Sequence, residues 1–343
     1  MRVIFRSVLL FAFITASAAA KAGDLTFTNP IVSHGADPWV IQWNSKYYYC
    51  HSLPNAGWTS GASDGIWINA ATNLEDIGKG TEKCVWAPEP GTSHSRDIWA
   101  PELHFLRGKW YIYVAADNGD NAAHRMYVLE GTSLDPQQPF VLKGKIAAPS
   151  DRWAIDGTVL EMPDGKLYFI WSGWPGTENV VQNLYIAPMS NPWTISGPRV
   201  CISQPEYKWE KSGLPINEGP ETLWHGNRVF IIYSASGFWT HDYCLGELAW
   251  NGGDVLDPRS WLKKPTPVFS STATVFGPGH CSFVPSPDGM EDWIIYHAHI
   301  SRDSDTDRDI RIQRFTWNPD GSPDFGIPVS PGVPLRRPSG ELH

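Results

Sequence analysis

Five positions spaced roughly sixty residues apart carry Asp37, Ala100, Asp156, Glu218 and His280, so three carboxylates and an imidazole recur in phase with some repeating element. A carboxyl that keeps its proton and a carboxylate that has lost one are a general acid and a general base. Brought together, these groups fit proton transfer to and from a bound molecule. Without such a use the cluster would be costly, because a buried charge lacking a partner destabilises a fold by several kcal/mol.

The element that positions them is an aromatic strand repeated five times: KYYYCHS from Lys46, KWYIYVAA from Lys109, KLYFIWSG from Lys166, RVFIIYSASG from Arg228 and DWIIYHAH from Asp292. A second strand-like segment precedes each copy, beginning at Ala36, Ala100, Ile155, Glu218 and Pro278. The links NS, RG, PDG, HGN and PDGME read as hairpin turns. A third strand follows each copy, and a weakly marked fourth suits a partly exposed edge. The period predicts four-stranded blades and hence an all-β, five-bladed β-propeller. In that architecture the first strand of each blade lines the central axis, which is why residues so far apart in sequence can meet.

Composition agrees. Of 343 residues, 13% are aromatic, 18 are Trp, 31 Gly and 29 Pro, a turn-rich pattern with hardly any helical periodicity. One catalytic domain over residues 23–343 accommodates five blades with no room for a second. The formal net charge is −9. Removing Arg2, Arg6 and Lys21 with a leader would take it to about −12. That balance disfavours polyanion partners, and no basic stripe with interleaved aromatics points to nucleic acid.

Residues 1–22 stand apart, with Arg2 and Arg6, an apolar run from Val8 and small residues up to Ala22. They read as a secretory signal peptide, so the expected location is extracellular or periplasmic, with no membrane attachment after cleavage. The apolar run is too short for a spanning helix. Five cysteines, Cys50, Cys84, Cys201, Cys244 and Cys281, show no metal-ligand spacing and no disulfide framework, although one bridge is compatible with the count. Cys50 and Cys281 read as buried small apolar residues.

Together, HGADPWV around Asp37, IWAPELHF from Ile98, Ile155-Asp156-Gly157-Thr158, Glu218-Gly219-Pro220 and Gly277-Pro278-Gly279-His280 resemble glycoside hydrolase family 43. The resemblance covers essentially the whole chain after the leader. It implies a five-bladed β-propeller that inverts the anomeric centre of arabinose- or xylose-containing polysaccharides or oligosaccharides. Carried over by motif, Asp37 would be the general base, Glu218 the general acid and Asp156 the residue that orients the acid and raises its proton affinity. Inverting hydrolysis needs such a pair, one carboxyl protonating the leaving oxygen and one carboxylate activating water on the opposite face. Alone, Asp37-Pro38 also reads as a turn, Asp156-Gly157 as another, and Glu221 competes with Glu218 in NEGPET.

No cofactor is needed for this chemistry. The resemblance implies a structural calcium near His280, while a hydrogen-bonded histidine near the substrate fits the residue equally. Arg308 matches a family arginine that reaches the innermost sugar, with Arg302 and Arg311 as competitors and an ion pair within the acidic run SRDSDTDRD as the other reading. Trp58, Trp99, Trp174 and Trp239 are candidates for stacking on sugar rings, and Trp99 and His51 are the additional pocket residues.

β-Xylosidases related to the family commonly add a β-sandwich, which this chain lacks. That favours removal of terminal α-L-arabinofuranosyl residues, with endo-α-1,5-L-arabinanase and β-xylosidase as alternatives. Invertases and fructan hydrolases would show Asn-Asp-Pro-Asn, and sialidases repeated Ser-x-Asp-x-Gly boxes; both are missing. The reading from a different class is a non-catalytic carbohydrate-binding propeller, which would need no opposed acid and base.

Overall fold

A computed structural model describes residues 26–52 and 65–341. The expected leader and Trp58 lie outside the described residues. Five sheets follow one another along the chain, and each begins with a strand that precedes one of the aromatic strands. Blade 1 comprises Trp39–Trp43, Lys46–His51, Ile66–Ala71 and Thr81–Trp86, and blade 2 Arg96–Leu106, Lys109–Asp117, Arg125–Gly131 and Phe140–Ile146. Blade 3 comprises Ala154–Glu161, Leu167–Gly173, Asn183–Asn191 and two short strands that both pair with the third. Blade 4 runs through Asn217–His225, Arg228–Ala235, Cys244–Trp250 and Trp261–Lys263, and blade 5 through Phe276–Pro285, Asp292–His299, Arg308–Trp317 and Pro323–Asp324. This is the five-bladed β-propeller.

Local chemistry explains the hairpins. In blade 1, Asn44 and Ser45 both take positive φ, 47° and 60°, and in blade 2 Arg107 and Gly108 take 51° and 80°. Two such residues make a turn whose twist matches that of the strands it joins. The aromatic strands bury side chains on both faces. Tyr47 and Tyr49 enter a cluster with Ile295 and Ile312 of blade 5, whereas Tyr48 and Cys50 enter one with Ile112 and Val114 of blade 2. Similar clusters fill the other three interblade spaces. Each large apolar side chain so buried contributes about 1.5–3 kcal/mol. The ring is tied at its ends by Thr26–Phe27 pairing with Leu335–Arg336, and by Ile31 donating to the Ile310 carbonyl.

All five cysteines are free, with Cys50 and Cys281 buried as expected, so the one bridge that the count allowed does not form. Among the described residues no helix is long and apolar enough to cross a membrane.

Candidate active site

The inner strands share one irregularity. In blades 2 to 5 a one-residue shift in pairing interrupts the ladder, between Trp99 and Glu102, Ile155 and Thr158, Glu218 and Glu221, and Gly279 and Cys281. At this point Ala100, Asp156, Gly219 and His280 have φ of 44°, 53°, 50° and 41°, and Asp37 in blade 1 has 49°. Bulges re-aim side chains, and left-handed backbone at non-glycine residues concentrates at functional sites. The fourth member of this ring is therefore Gly219 and not Glu218, which sits one residue earlier. Its counterpart in blade 2 is Trp99, also the last residue paired before the shift.

Asp37 is held by three groups at one oxygen. Its Oδ1 lies 3.0 Å from Arg308 Nη1, 3.2 Å from His280 Nδ1 and 3.2 Å from His297 Nδ1. Burial alone would raise its proton affinity. The His280 and Arg308 charges and a His297 contact outweigh that and hold the carboxyl well below the usual range. Burial pushes the His297 imidazole down to about 3, so the ring is neutral. Its Nδ1 also faces the Asp37 amide at 3.1 Å, and the tautomer selects which of these two contacts is the hydrogen bond.

Asp156 and Glu218 behave in the opposite way. Burial, then the Glu218 and Asp37 charges, raise the Asp156 carboxyl to about 8 against a lowering by His280. Burial, with a contribution from Asp37, raises Glu218 to about 7 against a lowering hydrogen bond from Tyr243. The Tyr243 hydroxyl donates to Glu218 Oε1 at 2.8 Å. Asp156 Oδ2 accepts from the Gly219 amide at 3.0 Å and so grips the backbone beside Glu218. The site thus sets one ionised carboxylate against two carboxyls that keep protons near neutrality.

Glu221 faces elsewhere. Burial and then contact with the Glu102 carboxyl hold it far above the usual range. Two carboxyls can share a hydrogen bond only if one is protonated. Glu102 is itself fixed by His104 Nε2 at 2.8 Å.

The remaining expected residues divide. Arg308 points at Asp37, while Arg311 is buried against Asp309 at 2.6 and 2.9 Å and Arg302 lies over Phe276. Trp99 is half-buried and stacks on His124 with centroids 4.0 Å apart. His51 is buried within blade 1, its Nε2 2.9 Å from Asn69 Oδ1 and 3.5 Å from Glu82 Oε2, and its ring stacked on Tyr49. Trp174 is buried against Trp153, whereas Trp239 is 38% exposed. Sequence reasoning missed Tyr243 and His297. Each reads as one more aromatic core position, and only the fold reveals that they face Glu218 and Asp37.

Calcium takes six to eight oxygen ligands. Among the described residues the carboxylate in ion-pair contact with His280 is that of Asp37, already engaged by Arg308. Among the described residues no group of three or more His, Cys, Asp or Glu is arranged to hold an ion. This donor set does not fit a directly ligated calcium.

The profile of glycosyl hydrolases family 43 matches residues 27–323. The chain is 38% identical over 332 residues to an extracellular exo-α-(1→5)-L-arabinofuranosidase of Streptomyces avermitilis, across 93% of this chain and 67% of that protein. It is 34% identical to an α-L-arabinofuranosidase of Humicola insolens, across 97% and 70%. Among solved structures it superposes on an α-L-arabinofuranosidase of Lactobacillus brevis with a TM-score of 0.82 and 36% identity, covering 92% of this chain and all of that one.

Proposed function

The chain belongs to glycosyl hydrolase family 43, and from that premise we propose that it is a secreted, exo-acting α-L-arabinofuranosidase that inverts the anomeric centre. Residues 1–22 are its leader and 23–343 its catalytic propeller. Its substrates are arabinan and other plant polysaccharides bearing terminal α-L-arabinofuranosyl groups. The carrying observation is the contrast in surroundings: Asp37 lies against Arg308 and His280, whereas Asp156 and Glu218 are buried, one held by the Gly219 amide and the other by the Tyr243 hydroxyl. That arrangement favours an ionised Asp37 and raises the proton affinity of the other two.

Asp37 is the general base. Its ion pairs converge on Oδ1, which leaves Oδ2 to take a proton from the attacking water. The water oxygen bonds to the anomeric carbon as the bond to the leaving oxygen breaks, and Glu218 protonates that oxygen. Solvent then resets both carboxyls. Asp156 holds the Gly219 amide and so fixes the backbone that carries Glu218. Arg308 orients Asp37 and reaches the sugar with its remaining donors, His280 steadies the same carboxylate, and Trp99 flanks the sugar.

Hydrolysis of aryl α-L-arabinofuranoside, aryl β-D-xyloside and linear arabinan, with proton NMR of the first product, tests the reading. Arabinose released from the arabinoside and from arabinan, appearing first as the β-anomer, supports it. Turnover of xyloside alone would make the enzyme a β-xylosidase, and oligomers from arabinan would make it endo-acting. No turnover of any would leave a binding propeller.

A further inference from the structure

His299 ends the second strand of blade 5 and is 1% exposed. Both of its ring nitrogens face backbone carbonyl oxygens, Nδ1 that of Ser304 at 2.8 Å and Nε2 that of Phe238 at 2.7 Å. A carbonyl oxygen can only accept, and a neutral imidazole has a single N–H. Both contacts are hydrogen bonds only if the ring carries two N–H groups, and their short lengths suit a charged donor.

The two carbonyls belong to segments that meet at Arg308. Ser304 lies in the loop leading into Arg308, and His299 pairs directly with Arg308 across the ladder. Phe238 lies in the loop after the second strand of blade 4, and its ring covers the Arg308 guanidinium at 4.5 Å. Arg308 in turn donates to Asp37 at 3.0 Å. Space for the ring comes from Gly277, whose φ is 55° and where a Cβ would lie 3.1 Å from His299 Nε2.

We propose that His299 is a positioning residue: as an imidazolium it bridges the carbonyls of Phe238 and Ser304, seats the Phe238 ring on Arg308 and thereby fixes Asp37. The charged and titratable groups facing it are Asp309 on the neighbouring strand, Arg308 opposite and His241, whose ring is 5.5 Å away. Asp309, buried and paired with Arg311 at 2.6 and 2.9 Å, is the acidic group among them. The link to catalysis rests on Asp37 being the base; the protonation state of His299 does not.

Two measurements test it on the full mature chain. Long-range 1H–15N correlation at pH 6, assigned with His299→Gln, is expected to show both His299 nitrogens protonated; a ring with one bare nitrogen overturns the bridge. In parallel, kcat/KM on aryl α-L-arabinofuranoside is compared for wild type, His299→Ala, Phe238→Ala and the double variant, with Tm recorded for each. His299→Ala is expected to lose about tenfold or more, and the double variant to lie within about twofold of Phe238→Ala, because His299 acts through that ring. Losses that multiply, or wild-type kcat/KM in His299→Ala, overturn the positioning role. Should His299→Ala not fold, His299→Gln takes its place in the cycle. Lack of wild-type turnover would count against the hydrolase reading, and the NMR result would still decide the bridge.

Discussion

The hydroxyl of Tyr243 sits 2.8 Å from Oε1 of Glu218 and stabilises the ionised form of the residue assigned as general acid. Removing that donor must therefore raise the proton affinity of Glu218. The acid works protonated, so rate is lost as pH rises through the coupled Asp156 and Glu218 titrations, about 8 and about 7. Tyr243→Phe is expected to move the alkaline limb of kcat/KM upward by about half a unit to one unit, while kcat at the optimum falls about tenfold through lost orientation. A limb that stays in place or moves down would contradict the assignment.

Base and acid should also separate by leaving group. A good leaving group needs little protonation, so Glu218→Gln is expected to lose about a hundredfold or more on arabinan but far less on a dinitrophenyl arabinofuranoside. Asp37→Asn removes water activation, which both substrates need equally. It should lose about a thousandfold or more on each. Equal losses for the two variants across the two substrates would remove the distinction of roles.

The hairpin repeat was legible because aromatic alternation and turn residues are local signals, and Asp37, Asp156 and Glu218 could be placed because motifs marked them. The offset at blade 4 was not legible. The bulge between Glu218 and Glu221 is shared with blades 2, 3 and 5 and does not set blade 4 apart. The count back from Arg228 treats His225-Gly226-Asn227 as the turn, whereas His225 pairs with Arg228 and the turn is Gly226-Asn227 alone. Like-charge repulsion from Asp156 was expected to keep Glu218 protonated, whereas burial is the larger cause and Asp156 keeps its own proton more tightly. Tyr243 escaped because it meets Glu218 across blade 4, 25 residues away in sequence, and His297 and His299 because their contacts join blades 4, 5 and 1.

Gly219 is where that bulge meets the site. Its φ is 50°, and a Cβ would lie 3.1 Å from His280 Nδ1 and 3.3 Å from Ser234 Oγ. Gly219→Ala therefore combines left-handed strain, about 1 kcal/mol or more, with a push on the imidazole that contacts Asp37. The expected result is a Tm lower by a few degrees and kcat/KM lower by about tenfold or more. Wild-type kcat/KM would show that the His280 contact carries no catalytic weight.

Asp156 ties catalysis to stability. Its carboxyl titrates at about 8 in the fold against 3.8 in the unfolded chain, so between those values the folded state binds the extra proton. The stabilisation this provides is complete below pH 3.8 and is lost as pH rises through 8. Near pH 8 the wild type must therefore either hold that proton against solvent or bury a charge beside Glu218. An amide at this position carries no charge at any pH and can still accept from the Gly219 amide. Asp156→Asn is accordingly expected to raise Tm by about 2 °C or more at pH 8 and by distinctly less at pH 5, while lowering kcat/KM about a hundredfold. The comparison of the two Tm differences is the check. An increase of equal size at both pH values would mean that the stabilisation came from packing, and a decrease at pH 8 would mean that the buried carboxyl is not the source of the pH dependence.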